Sequence, residues 1–213
     1  MDLLAYFIVQ ASRGVSRKTF DSFTVKQKLD YFKLFPTSSY KPKVKDWVAK
    51  LTARSFMTLL KKAKLSQLPL ARWCVSLDHD FNYYSKGTTW GTKGGSTFSI
   101  VDKDIVSLCR NRNDPYRGRD LVKLAVTKGG RKLDAYGILY DLYTSCGFQP
   151  VCMVRFNKQY APNDWCEDYG EPPIIFYKYN PKYKPVPYRD WVDQAVVLND
   201  YDEAYTYRDR SMK

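Results

Sequence analysis

The chain of 213 residues carries 35 lysines and arginines against 22 aspartates and glutamates, for a formal net charge of +13, with 44% hydrophobic and 16% aromatic residues. That apolar content excludes a disordered chain, because it can offset the entropy of ordering the backbone, and the length suits one substantial domain with accessory segments. The charge is uneven: residues 1–72 hold 15 Lys/Arg and 4 Asp, whereas residues 73–213 hold 20 Lys/Arg and 18 Asp/Glu. The first third is either a surface for an anionic partner or a solvated basic face.

The five cysteines, at 74, 109, 146, 152 and 166, form no C-x-x-C pair, and their number is odd. This favours reduced thiols in a cytoplasmic protein over a disulfide framework. The single histidine, His79, has no cysteine pair at ligand spacing, so no metal site is expected. The apolar run LLAYFIV at residues 3–9 is too short to cross a bilayer and lacks the basic flank of a secretory signal.

In chain order, Thr24 is placed to cap a helix that Pro36 ends, with Val25, Leu29, Phe32 and Phe35 on one side. A second basic helix is predicted within residues 41–66, with Val44, Trp47, Val48, Leu51 and Leu59 on its apolar stripe. From residue 73 the rhythm becomes β-rich: strands are predicted in RWCVSL (72–77), STFSIV (96–101) and DIVSLCR (104–110), with residues 85–96 as a connecting loop. RDLVKLAVTK (119–128) follows as a helix closed by Gly129-Gly130. The next elements are a strand RKLDAY (131–136), a helix ILYDLYTSC (138–146), a strand FQPVCMVRFN (148–157), a loop, and a strand PIIFYKY (173–179). This alternation predicts an α/β fold with a mixed sheet. Three segments are expected: a basic helical part at 1–72, a core at 73–180, and a Pro/Tyr-rich tail at 181–213 that wraps the core or engages a partner.

The order of these elements, with YTSCGF placing a tyrosine four residues before Gly147-Phe148, resembles the GNAT acetyltransferase superfamily. GGRKLDAY, GFQPV, the APNDW run and PIIF are also similar to segments of GNAT-like proteins encoded by bacteriophages. The resemblance covers about residues 73–180 and implies a mixed, mostly antiparallel sheet with flanking helices. It implies that acetyl-coenzyme A lies between two splayed parallel strands, here DIVSLCR and RKLDAY. Its pyrophosphate would rest on backbone N–H groups of the loop that opens the next helix. By position that loop holds Asn113, Tyr116, Arg117, Gly118 and Arg119; only Gly118 matches the Arg/Gln-x-x-Gly-x-Gly pattern. Arg110, Arg112, Arg117 and Arg119 are available as phosphate contacts. Backbone donors near Leu108 would polarise the thioester carbonyl, and Tyr143 matches the residue that protonates the departing thiolate, a role suited to a phenol whose pKa lies near that of a thiol.

The residue types alone offer Asp134, Glu167 and Asp168 as bases for an amine, and none is assigned. The resemblance thus implies an acetyl-coenzyme A-dependent N-acyltransferase. The alternative is a catalytically silent phage protein of the same fold that binds a host or virion component. A third reading places nucleic acid on the lysines and arginines of residues 41–64, with neighbouring aromatics available for stacking.

Overall fold

A computed structural model describes residues 48–75 and 79–212. The helix predicted at 24–36 and the basic residues Lys41, Lys43 and Lys45 lie outside the described residues. The chain divides into two compact units, and the one spanning Lys41–Trp165 and Glu171–Lys213 carries all eight strands of the sheet. Of the other unit, the described part is the single turn Glu167–Tyr169 with its flanking residues.

The fold is α/β. The elements in order are β1 (Val48–Leu51), α1 (Ala53–Ser66), α2 (Pro69–Arg72), α3 (Phe81–Ser85), β2 (Thr88–Thr92), β3 (Thr97–Val101), β4 (Asp104–Cys109) and α4 (Gly118–Thr127), then β5 (Lys132–Tyr136), α5 (Tyr140–Thr144), β6 (Phe148–Val154), β7 (Ile174–Tyr179), α6 (Tyr188–Val192), β8 (Val197–Leu198) and α7 (Tyr201–Arg210). The eight strands form one mixed sheet in the order β1-β2-β3-β4-β5-β7-β6-β8. The β4–β5 and β6–β8 pairs are parallel and the rest antiparallel.

Alternating residues send side chains to opposite faces. On one face Phe98, Ile105, Leu133, Ile175 and Tyr177 pack with Val122 and Ala125 of α4 and with Tyr140 and Tyr143 of α5. The other face has two separate clusters. Phe56, Leu60 and Ala63 of α1 meet Tyr84 of α3 over β4, whereas Ala204 of α7 covers Cys152, Ile174 and Phe176 on β6 and β7.

Several predicted elements differ. The helix predicted across residues 41–66 begins at Ala53, where the Thr52 hydroxyl accepts the Ser55 N–H at 3.2 Å as a cap. The residues just before it, Val48–Leu51, instead pair with β2 as an edge strand. Its buried stripe is accordingly Phe56, Leu60 and Ala63. Arg72–Val75 is the end of a short helix and a turn, not a strand, and Thr88–Thr92, predicted as loop, is β2. The sheet also extends beyond the 73–180 span on both sides, through β1 and β8.

The short helix α5 stops where the sequence changes character. Gly147 sits at φ +86°, a left-handed conformation that an L side chain adopts at a cost, and a Cβ there would stand 3.2 Å from the Tyr179 ring. The chain thereby reverses into β6, and Phe148 is fully buried immediately after the turn.

Candidate functional site

The β3–β4 hairpin closes on Asp102 (φ +47°) and Lys103 (φ +64°), the backbone signs of a type I′ turn. This turn also holds β5: the Lys103 carbonyl accepts the N–H groups of Arg131 at 2.7 Å and Lys132 at 3.2 Å. Beyond it, β4 and β5 share one register pair, Asp104 with Lys132. The strands then part. An extra residue in β4 shifts its register against β3, with Ser107 at φ +51° and its hydroxyl 2.6 Å from that of Tyr84.

A cavity of about 150 Å³ occupies the opening. Ile105, Leu108, Leu139 and Tyr143 reach it along with Val106, Asp134, Ile174 and Tyr201, so it is lined from both faces of the sheet. Cys74 and His79 also line it, and the His79 ring stacks on Tyr83 at 4.0 Å.

Tyr143 is almost wholly buried, with its ring 5.6 Å from that of Tyr177, and desolvation raises its phenol well above the ordinary range. Asp134, half-buried by residue surface, turns its carboxyl inward and accepts the Tyr205 hydroxyl at 3.1 Å. Desolvation raises its pKa; the Tyr205 hydrogen bond and the charges of Arg208 and His79 oppose this. Burial pushes the Cys74 thiol up to about 12, which leaves it protonated at neutral pH.

The closed end of the seam is ionic. Arg208, 1% exposed, meets Asp104 at 2.9 Å and Asp209 at 2.9 Å, and Lys132 meets Asp209 at 2.9 Å and Asp102 at 3.3 Å. Desolvation raises Asp104 to about 6 even with Arg208 beside it.

Comparison of the chain with protein-family models, curated proteins and solved structures finds no match.

The residues predicted for the pyrophosphate loop separate into two groups. Arg110 folds inward: its Nε donates to the Tyr116 carbonyl at 2.6 Å and its Nη2 to the Asp114 carbonyl at 3.0 Å. Tyr116 is buried. Asp114 is also buried, where it accepts the Tyr116 N–H at 2.9 Å, the Ser96 N–H at 3.2 Å and the Thr92 hydroxyl. A Cβ on Gly94 would stand 2.5 Å from its carboxyl carbon, so the β2–β3 turn needs glycine to admit this carboxylate. Arg110, Asp114 and Tyr116 therefore shape the loop from within.

Asn113 and Arg119 are exposed, and Arg117 and Gly118 are half-buried at the start of α4. The Asp120 carboxylate accepts the Arg117 N–H at 2.9 Å. A Cβ on Gly118 would lie 3.5 Å from Leu142, one residue from Tyr143, so the helix start adjoins α5.

Leu108 and Tyr143 thus meet at one cavity, while Arg110 and Tyr116 turn inward to shape the loop. His79 and Asp134 are visible in the sequence only as residue types, and Tyr201 escapes sequence reasoning. The usable signal for Tyr201 is Asp200 with Glu203 three residues later, a capping pattern that marks the start of α7.

Among the described residues, no group of three or more His, Cys, Asp or Glu side chains is placed to hold a metal ion, and no helix is long and apolar enough to cross a membrane. Of the basic residues at 41–64, Lys50, Arg54, Lys61 and Lys62 are exposed, whereas Lys64 is buried and pairs with Asp164 at 3.2 Å.

Proposed function

We propose that the chain is a GNAT-type acyltransferase that takes acetyl-coenzyme A into the opening between β4 and β5 and passes the acetyl group to an amine. The observation that carries this reading is the parallel pair joined at Asp104 and Lys132 alone, which diverges around a cavity lined from both faces. In this reading the thioester approaches the cavity from the α4 side and the acceptor from the opposite face of the sheet.

The residues fit such a ligand in three respects. The first-turn N–H groups of α4 at Gly118 and Arg119 have no intrahelical partners and offer donors and a favourable dipole to a phosphate. Arg117 and Arg119 flank them, and the inward turn of Tyr116 and Asp114 removes both side chains from that approach. Acetyl-coenzyme A would supply the activated acyl group. Tyr143 stands in the cavity as the proton donor to the departing sulfur, held protonated by burial but a weaker acid than the free phenol that the pKa match assumes, and Asp134 faces the same cavity as the group to receive a proton from the amine. Direct transfer is favoured over a thioester on the protein, because the cavity's own thiol, Cys74, is held protonated.

Titration calorimetry with acetyl-coenzyme A tests this reading. Micromolar binding is expected, with loss in Gly118→Glu, which sets a carboxylate at the start of α4; absence of binding by the native chain would overturn it.

A catalytically silent binder is the second reading. Its support is that Arg110 is engaged by loop carbonyls and that Asp120 already places a carboxylate at the first turn of α4. Such a protein would use the exposed Lys50, Arg54, Lys61 and Lys62 toward an anionic partner, with affinity falling steeply as salt rises.

A further inference from the structure

A second cavity, of about 430 Å³, adjoins the seam and shares Tyr136, Ile174 and Tyr201 with it. Its apolar lining includes Val154 and Ile174, both buried. Its aromatic lining is held by ring contacts: Tyr136 lies 4.5 Å from Trp73, Phe156 lies 5.0 Å from Trp165, and Tyr201 meets Phe176 edge-on at 5.4 Å. Tyr160, 78% exposed, adds a further ring.

Charge around this cavity departs from that of the chain. Against a net +13, the lining carries Asp200 and Asp202 with a single cation, Arg155. Asp200 commits one carboxylate oxygen to the Glu203 N–H at 2.9 Å as the cap of α7. The Asp202 side chain is exposed and makes no hydrogen bond or ion pair with the described residues. Beyond the shared wall stands Asp134. Aromatic faces beside carboxylates favour a cation, and an apolar lining favours methylene groups behind it.

We propose that this cavity binds a primary alkylammonium ion, the end group of a polyamine or of a lysine side chain, and directs it toward the seam. The inference rests on the acyltransfer reading for the amine's role as acceptor. Tyr136 and Tyr201 border both cavities, so a chain lying along them carries its nitrogen toward the side of the seam that Asp134 faces. There, the nitrogen's proton passes to a carboxylate that burial makes more basic than usual.

Calorimetry on the full chain without acetyl-coenzyme A tests the cation site by itself, with spermidine and Nα-acetyl-lysine amide as probes and 1,6-hexanediol as the neutral counterpart. At least one amine should bind while the diol does not, and the stronger amine identifies a free polyamine or a peptide lysine as the source. The double variant Asp200→Asn/Asp202→Asn keeps a capping side chain and should bind the amine about tenfold more weakly. Equal affinity in that variant, equal binding of the diol, or no binding of either amine at millimolar concentration would overturn the proposal. A parallel titration with acetyl-coenzyme A separates the two readings. Amine binding without cofactor binding supports the cation site and removes its acyltransfer role, whereas cofactor binding without amine binding removes the cation site alone.

Discussion

The two ends of the β4–β5 seam are built on opposite principles. At the closed end a hairpin carbonyl grips two N–H groups, and Arg208 and Lys132 tie three carboxylates across the strands. At the open end an extra residue bends β4 away and the gap is lined by Leu108, Asp134 and Tyr143. The difference shows how a continuous sheet can hold a cavity: strands pinned by charge at one end can diverge at the other while each stays paired to its outer neighbour.

Breaking the closed end should have the largest effect on stability. Arg208→Ala leaves Asp104 buried beside a void, and a loss of about 3 to 5 kcal/mol in chemical denaturation is expected. On the proposed acyltransfer, the open end should respond in rate and not in folding: Tyr143→Phe is expected to lower acetyl transfer about 100-fold with little change in the melting temperature.

The pH response sharpens the contrast further. Burial raises Asp104 from an ordinary value of 3.8 to about 6, so the folded chain holds this proton more tightly than the unfolded one. Its contribution is complete below pH 4 and disappears as the pH rises through 6, with a slope of at most about 1.4 kcal/mol per unit. Asp104→Asn should flatten that part of the stability curve measured by urea titration. The smallest effect is expected from Tyr84→Phe, which removes the 2.6 Å contact with Ser107 at the bent strand and should cost about 1 kcal/mol.

Sequence patterning makes the middle of the molecule legible. β3, β4, α4, β5, β6 and β7 lie within or close to their predicted spans because their apolar periods are long enough to be distinct. β1 is hidden: Val48–Leu51 is too short to separate two periodicities, and the adjoining residues continue as a helix. β2 resembles a loop in sequence, since threonine and glycine supply most of Thr88–Thr92. α7 has no apolar stripe to reveal it, for its two buried residues are Ala204 and Arg208. The same limit applies to the site. Tyr143 can be placed from its distance to Gly147, whereas Asp134 and Tyr201 come together only through the packing of α7 on the sheet, which no local pattern encodes.

The bond between Arg208 and Asp104 joins residues 104 positions apart. During synthesis, β4 and β5 leave the ribosome long before α7, and until then the Lys103 carbonyl and the Lys132–Asp102 pair are what tie β5 to the β3–β4 turn. The Lys132–Asp102 pair can form before it, but the contacts of Asp104 with Arg208 and of Lys132 with Asp209 are added only when the last described helix arrives. A nascent chain halted before residue 208 would therefore carry every strand of the sheet and still lack a set opening between β4 and β5.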